Sequence, residues 1–377
     1  MNPSKEQLIS QRLQQWFRDN KRLLPWRDTQ DPYRIWISEV ILQQTRVVQG
    51  WEYYERFIEA FPTVQDLAQA PTEQVLKLWE GLGYYSRARN LHRAAQIIVE
   101  QYGGVLPSTY KDMIALPGVG AYTAGAVLSF AYHLPYPAVD GNVLRVLSRI
   151  YASDMEIDST EGSKFFRTLA QNLIDTEHAA AHNQAIMELG ALICLPLNPQ
   201  CNLCPIDRFC AVAHSAMATQ LPVKKGKMAV TEREFLYFFI TLPCPSVETS
   251  FWLSLRKEGD IWAGLYDLPQ SDSLSFLRDA ERGCSITLSH LDESTLKQQL
   301  SIAGDIPISS LKLYHRCKHR LTHRLLHLSF FHLELSSFPT DFFSRYREVS
   351  FSGEIFPPMP IVIKKVVDRF ISELHQR

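Results

Sequence analysis

From residue 5 to about residue 214, apolar residues recur three and four positions apart and the pattern breaks at Pro, Gly or Asp, which predicts helix almost throughout. Val75, Leu78 and Trp79 precede Gly81, and Leu91, Ala94, Ala95 and Ile98 precede the Gly103-Gly104 pair. About ten helices are expected at such a repeat length. Between Ser215 and Thr231 the periodicity is lost while Pro222, Gly226 and three lysines gather, so this stretch reads as a linker. Beyond it come alternating and aromatic runs such as EFLYFFITL, FWLSLRKEGDIWAGLYDL and HLSFFHLEL, which predict strands. Ile363, Val366, Val367, Phe370, Ile371 and Leu374 return to helical spacing and predict a closing helix. The expected chain is multidomain: an all-α domain over 1–214, a linker over 215–231 and an α+β domain over 232–377.

A chain of 377 residues can bury two cores, and 46% hydrophobic with 21% charged residues is the composition of an ordinary globular protein. No apolar run is long enough to span a bilayer, and the first twenty residues read as an amphipathic polar helix rather than a signal peptide. A cytoplasmic monomer with no membrane partner is expected. The formal net charge is −1, so any contact with nucleic acid must come from local patches rather than a global field.

The seven cysteines change this picture. Cys194, Cys201, Cys204 and Cys210 form a Cys-x6-Cys-x2-Cys-x5-Cys string, which lets one short loop deliver four thiolates to one inorganic centre, and Cys244, Cys284 and Cys317 are scattered. That usage suits a reducing compartment. A structural zinc site is the common reading of four such cysteines. Zinc modules usually offer two close pairs, however, and here only Cys201 and Cys204 are close, so a 4Fe-4S cubane fits better.

This spacing resembles the cluster loop of the endonuclease III superfamily of DNA base-excision enzymes and, among them, the adenine DNA glycosylases. A second motif points the same way. Leu116-Pro117-Gly118-Val119-Gly120 lies between two helical patterns, and its glycines permit a tight turn whose backbone N–H groups can cradle a phosphate. Alone it could be a plain helix-helix turn; beside the cysteine loop it is similar to the superfamily's helix-hairpin-helix. The resemblance implies a bacterial enzyme, associated with the nucleoid through double-stranded DNA. Strand-cleaving members carry a lysine two residues after the second glycine. Here that residue is Tyr122, and a phenol cannot form an imine, so a monofunctional glycosylase that leaves an abasic site is implied.

Breaking an N-glycosidic bond leaves positive charge on the sugar, which calls for an acid at the leaving base and an anion near the sugar. Glu39 is a carboxylate inside the apolar segment Ile35 to Leu42, where burial should hold a proton on it. It could instead sit on a polar strip with Gln43. The segment matches the adenine-glycosylase pattern, in which this glutamate protonates N7 of adenine and later activates water. Asp140 stands immediately ahead of an apolar-periodic helix, a good N-cap position that should also keep it ionised. The resemblance assigns Asp140 to the sugar cation, Asn142 to orienting the site and Tyr122 to backing both carboxylates.

A base in duplex DNA must be flipped out before it can be reached. The family's wedge glutamine falls on Gln44 and its intercalating tyrosine on Tyr84, although Tyr84 and Tyr85 could equally be core. Trp26 and Arg27 match the segment lining the adenine pocket. Arg87, Arg89 and Arg93 form a candidate phosphate-facing group. The second domain weakly resembles the Nudix-like domain of these enzymes without its Glu-rich metal-binding box. The family's Phe-Ser-His loop, which reads 8-oxoguanine opposite adenine, falls on Leu321, Thr322 and His323, with the aromatic replaced. His315, His319, His323 and His327 recur every four residues, but the strand pattern around them argues against a helical metal ladder. The expectation is an enzyme acting on double-stranded DNA with adenine mispaired with 8-oxoguanine or guanine.

Overall fold

The computed structural model describes residues 3–226, 229–242, 250–271, 274, 277, 280–302, 306–337, 346–350 and 356–374. Its contacts divide into two units, Met1–Ala70 with Ser86–Lys227, and Pro71–Tyr85 with Met228–Arg377.

The first unit is helical, with ten helices of six or more residues among the described residues and the short Met217–Gln220. The helix Pro32–Leu42 starts sharply because the Asp31 side chain accepts from Tyr33 N at 2.9 Å and Pro32 needs no amide partner there. Tyr33 and every residue from Ile35 to Ile41 are buried, so this helix is enclosed on all sides. Against it packs Ala121–Tyr132, rich in small residues that allow close approach. A Cβ added at Gly125 would lie 2.3 Å from Pro137 O. Ile9, Leu13 and Phe17 of the first helix join Val143, Val146 and Leu147 of Gly141–Ile150 and Ile186 and Leu189 of Ala179–Leu192 in one core, onto which Cys194 and Cys204 pack.

Two expectations are corrected. The stretch 215–231, read as a linker, is tied to the helical unit over its first half: Ile157 N donates to Val223 O at 3.0 Å, Lys225 N donates to Asp158, and Leu221 packs with Val212 and Ala218. Periodicity fails there because the backbone is bonded irregularly, not because it is unattached. Pro71–Tyr85, expected within the helical domain, packs with the second unit, where Glu73 pairs with Arg347 at 2.7 Å and Glu80 Oε1 accepts from Met359 N at 2.9 Å.

The second unit contains strands β1 (Thr231–Thr241), β2 (Ser250–Leu255), β3 (Tyr266–Asp267), β4 (Gln270–Ser271), β5 (Ile308–Arg320), β6 (Arg324–Leu335) and β7 (Arg347–Ser350), with helices His290–Gln299 and Ile361–Leu374. One sheet runs β4-β1-β6-β5 and the other β3-β2-β7. β1 lies parallel to β6, from Thr231 beside Arg324 to Thr241 beside Glu334. Its run of apolar residues is continuous because both faces are covered. Leu236, Phe238 and Ile240 enter a core with Leu311, Phe331 and Leu333, while Phe239 stacks on Phe370 of the closing helix at 3.9 Å between ring centroids. The four histidines lie on a hairpin, His315 and His319 on β5, His323 in the turn and His327 on β6. Cys284 and Cys317 are free thiols, and Cys244 lies outside the described residues. No helix of the described residues is long and apolar enough to cross a membrane.

Candidate active site

Two helix starts and one buried helix bring the candidate chemistry together in the first unit. Tyr122 stands in the first turn of Ala121–Tyr132, just past the hairpin glycines, and its hydroxyl donates to Glu39 Oε2 at 2.5 Å. Gly118 has φ +77°, and a Cβ there would meet Asn90 Cβ at 2.7 Å, so the turn is built for glycine. Asp140 caps Gly141–Ile150: its Oδ1 accepts from Val143 N at 2.8 Å and its Oδ2 from Asn142 Nδ2 at 2.7 Å.

Burial acts on both carboxyls, and their hydrogen-bond partners differ. Burial pushes Glu39 up to about 7, with the Tyr122 hydrogen bond pulling it down, Asp140 adding to the rise and Arg27 opposing it. Asp140 was expected to be held low by the helix N-terminus. Burial outweighs that effect and raises it, against the pull of the Val143 and Asn142 donors and of Arg145. Burial and the neighbouring carboxyls keep the Tyr122 hydroxyl protonated well beyond its ordinary range.

A cavity of about 1440 Å³ opens over these groups and is lined by Trp26, Arg27, Glu39, Gln44, Gly118, Gly120, Tyr122, Asp140 and Asn142. It exceeds the roughly 300–1,000 Å³ of small-molecule sites. Trp26 is buried edge-on to Tyr54 and Trp51, and Gln44 is an exposed residue at φ +58° just past the buried helix. Leu116 and Val119 turn into the core instead.

Arg87 is a correction. Expected to face phosphate, it turns inward, and its Nη1 donates to the carbonyls of Val40, Ile41 and Gln43 at 2.9, 3.0 and 2.5 Å. It closes the C-terminus of the Glu39 helix, where cations are favoured. Tyr84, Thr322 and His323 belong to the second unit: Tyr84, at φ +49°, shares a hydrogen bond between its hydroxyl and that of Thr322, and Thr322 and His323 form the β5–β6 turn.

Sequence reasoning passed over Glu188, Arg22 and Arg145. Glu188 lies on the cavity wall at 1% side-chain exposure and accepts from both Arg22 and Arg27. Its signal was a carboxylate within the apolar run AIMELGAL, the same kind of signal that singled out Glu39. Arg145 donates to Asn142 Oδ1, Gly190 O and Cys194 O, joining the Asp140 cap to the start of the cysteine loop.

The four cysteines follow Ala179–Leu192 on consecutive turns, all free thiols and half-buried. Burial pushes Cys204 up to about 12, and the other three cysteines add to that rise. The buried Arg149 donates to Cys194 Sγ at 3.2 Å and to the carbonyls of Leu195 and Pro196. Among the described residues no three His, Cys, Asp or Glu side chains are disposed to hold a metal ion.

Residues 37–172 match the family model described as HhH-GPD superfamily base excision DNA repair protein, a span that includes Glu39, Tyr122 and Asp140. An adenine DNA glycosylase of Buchnera aphidicola is 33% identical over 309 residues, covering 82% of this chain and 81% of that protein. The chain belongs to the adenine DNA glycosylase family. It is a DNA glycosylase of base excision repair with the helix-hairpin-helix glycosylase fold, followed by a sheet-containing C-terminal region. The human adenine DNA glycosylase is 44% identical over 215 residues, covering 55% of this chain and 39% of the human protein. A solved thermostable thymine-DNA glycosylase is similar over 55% of this chain and 95% of its own, with 28% identity and a TM-score of 0.51.

Proposed function

We propose that this adenine DNA glycosylase removes adenine paired with 8-oxoguanine or guanine in double-stranded DNA, with Glu39 as acid and base, Asp140 as the anion beneath the sugar and Tyr122 as the support of Glu39. The observation that carries this reading is the Tyr122 to Glu39 hydrogen bond at 2.5 Å, in a cavity wall shared with the capped Asp140. A carboxyl near 7 is protonated in a useful fraction at neutral pH and can give that proton to N7 of an extruded adenine. The C1′–N9 bond then breaks with its electrons leaving on the base, and the cation left on the sugar faces Asp140. Glu39, now anionic, accepts a proton from the water that attacks C1′. Trp26 supplies a stacking wall and Gln44 fills the space vacated in the duplex. Tyr122 offers no amine, so the strand stays intact.

Cys194, Cys201, Cys204 and Cys210 would hold a 4Fe-4S cluster. Four free thiols on one short loop match the four thiolates such a cluster takes, and the buried Arg149 guanidinium beside Cys194 would offset an anionic centre. The cluster's contribution when bound would be to tie this loop together. Iron and sulfide analysis of wild type and Cys201→Ala tests the assignment.

The C-terminal unit, read as Nudix-like, would recognise the lesion through Thr322 and His323, with the exposed Tyr84 inserting beside them. The working setting proposed is a cytoplasmic monomer. The deciding experiment is a single-turnover assay on a duplex with adenine opposite 8-oxoguanine, comparing wild type, Glu39→Gln and Asp140→Asn. Wild type should release adenine and both variants should stall; release by Glu39→Gln at the wild-type rate sinks the reading.

A further inference from the structure

Arg22 and Arg27 bring two permanent positive charges to the cavity that holds Glu39. Left alone, such charges would favour the ionised form of Glu39, the form that cannot donate a proton. Glu188 stands between them. Its Oε1 accepts from Arg22 N and Nε at 2.9 Å each and from Arg27 Nη1 at 3.0 Å, and its Oε2 accepts from Arg22 Nη2 at 2.6 Å and Arg27 Nη2 at 2.7 Å. Five donors on one carboxylate leave neither guanidinium free to swing toward Glu39. The Arg27 guanidinium is also seated over the Phe17 ring at 5.4 Å, and a further bond from its Nη1 to Arg22 O fixes its plane. Burial works to raise Glu188, but the bonds from Arg22 and Arg27 prevail and hold it at about 2, so the clamp carries its negative charge throughout the working range.

The charged and titratable groups that act on Glu39 are Tyr122 from the hairpin helix, Asp140 from the cap of Gly141–Ile150 and Arg27 from the turn Pro25–Arg27. Of these, Arg27 is the cation, and Glu188 is the anion bound to it. We propose that Glu188 is a positioning residue of the reaction, whose carboxylate pins and offsets the Arg22 and Arg27 guanidiniums and so keeps Glu39 in the protonated form that donates its proton to adenine. The inference rests on the reading of Glu39 as proton donor. It assigns Glu188 no contact with the sugar or the reacting bond; it acts through Arg27.

The test is the pH profile of the single-turnover rate, with saturating full-length protein on duplex holding adenine opposite 8-oxoguanine. Activity falls as pH rises through the Glu39 titration, and the midpoint of that fall is the readout. Glu188→Gln uncovers the positive charge and should move the midpoint down by about half a pH unit or more, as expected for a unit charge near a buried acid. Arg22→Gln removes one positive charge and should move it up. Glu188→Asp keeps the charge and should restore the wild-type midpoint. A purely structural role predicts a uniform loss at every pH with the midpoint unmoved, and that result overturns the proposal. If Glu188→Gln does not fold by circular dichroism, Arg22→Gln decides alone: a midpoint that stays or falls overturns it. Glu39→Gln run alongside separates the two failures. Adenine release by that variant sinks the assignment of Glu39, whereas an inactive Glu39→Gln with unmoved midpoints elsewhere sinks only the role of Glu188.

Discussion

Each unit buries a raised carboxyl near an arginine, yet only one of the two makes a site. In the helical unit Glu39 receives one hydrogen bond, from Tyr122, and lines a cavity facing a second carboxyl. In the sheet unit Asp267 is fully buried and raised by burial against the pull of Arg256, to which it is directly bonded. Arg256 in turn binds Asp260, donates to the Tyr237 hydroxyl at 3.3 Å and to Gln270 Oε1 at 3.1 Å, and lies over the Phe235 and Trp262 rings at 5.1 and 5.5 Å. Asp267 is enclosed at 0% exposure among these partners, with its Oδ1 left without a hydrogen-bond partner among the described residues. A shifted titration thus marks a functional group only when the group also faces space that a reactant can enter.

The largest effect expected from this difference is catalytic. Glu39→Gln should cut adenine release by about 10²–10⁴-fold, the range for loss of a positioned acid or base. The same change should stabilise the fold. Glu39 binds its proton more tightly folded than unfolded, so its favourable contribution is complete below about 4.5 and is lost as pH rises through about 7. Above 7 the buried anion costs on the order of 3 kcal/mol, which glutamine avoids while still accepting from Tyr122. Thermal melts at pH 5 and pH 8 should show the variant gaining on wild type only at the higher pH; a variant less stable at pH 8 breaks the comparison. Asp267→Asn should do the reverse, leaving the chemistry of the helical unit untouched while destabilising the sheet unit by about 1–3 kcal/mol in thermal melts, because the buried Arg256 keeps Asp260 but loses its enclosed anion.

Much of the helical unit was legible because burial of one helix face or of a whole helix writes itself into the order of residues. Glu39 and the cysteine loop stood out as polar groups in the wrong company or at telling intervals, and Asp140 as a cap before an apolar helix. The partnership of Glu188 with Arg22 and Arg27 was not legible. It closes across more than 160 positions, and no local pattern encodes which distant arginine a carboxylate will meet. Parallel pairing of β1 with β6, across nearly a hundred residues, was hidden for the same reason. So was the placement of Pro71–Tyr85, a helix-patterned segment whose acidic residues find their partners, Arg347 and Met359, far along the chain.

Tyr122→Phe sharpens the comparison inside the catalytic pair. The Tyr122 hydrogen bond favours the anionic form of Glu39, so removing it should raise the Glu39 titration and carry the alkaline fall in rate upward by about half a pH unit to one unit. The rate below pH 6 should change less than at pH 8. A downward movement would mean that Tyr122 holds the proton of Glu39 rather than competing for it.

The smallest effect expected separates the two readings of Arg87. A guanidinium that met phosphate would strengthen DNA binding in a salt-dependent way, and its loss would lower the slope of log affinity against log salt by about one. A guanidinium that closes the Glu39 helix is spent on three carbonyls instead. Arg87→Met should then lower stability by about 1–2 kcal/mol, from carbonyls left without this donor, and leave the salt slope as it was. Because Gln44 follows directly on those carbonyls in a left-handed conformation, any loss of adenine release in this variant should appear in the rate on bound duplex and not in the affinity. An altered salt slope with an unchanged melt would return Arg87 to the DNA-facing surface and leave the end of the Glu39 helix to be held by its own packing.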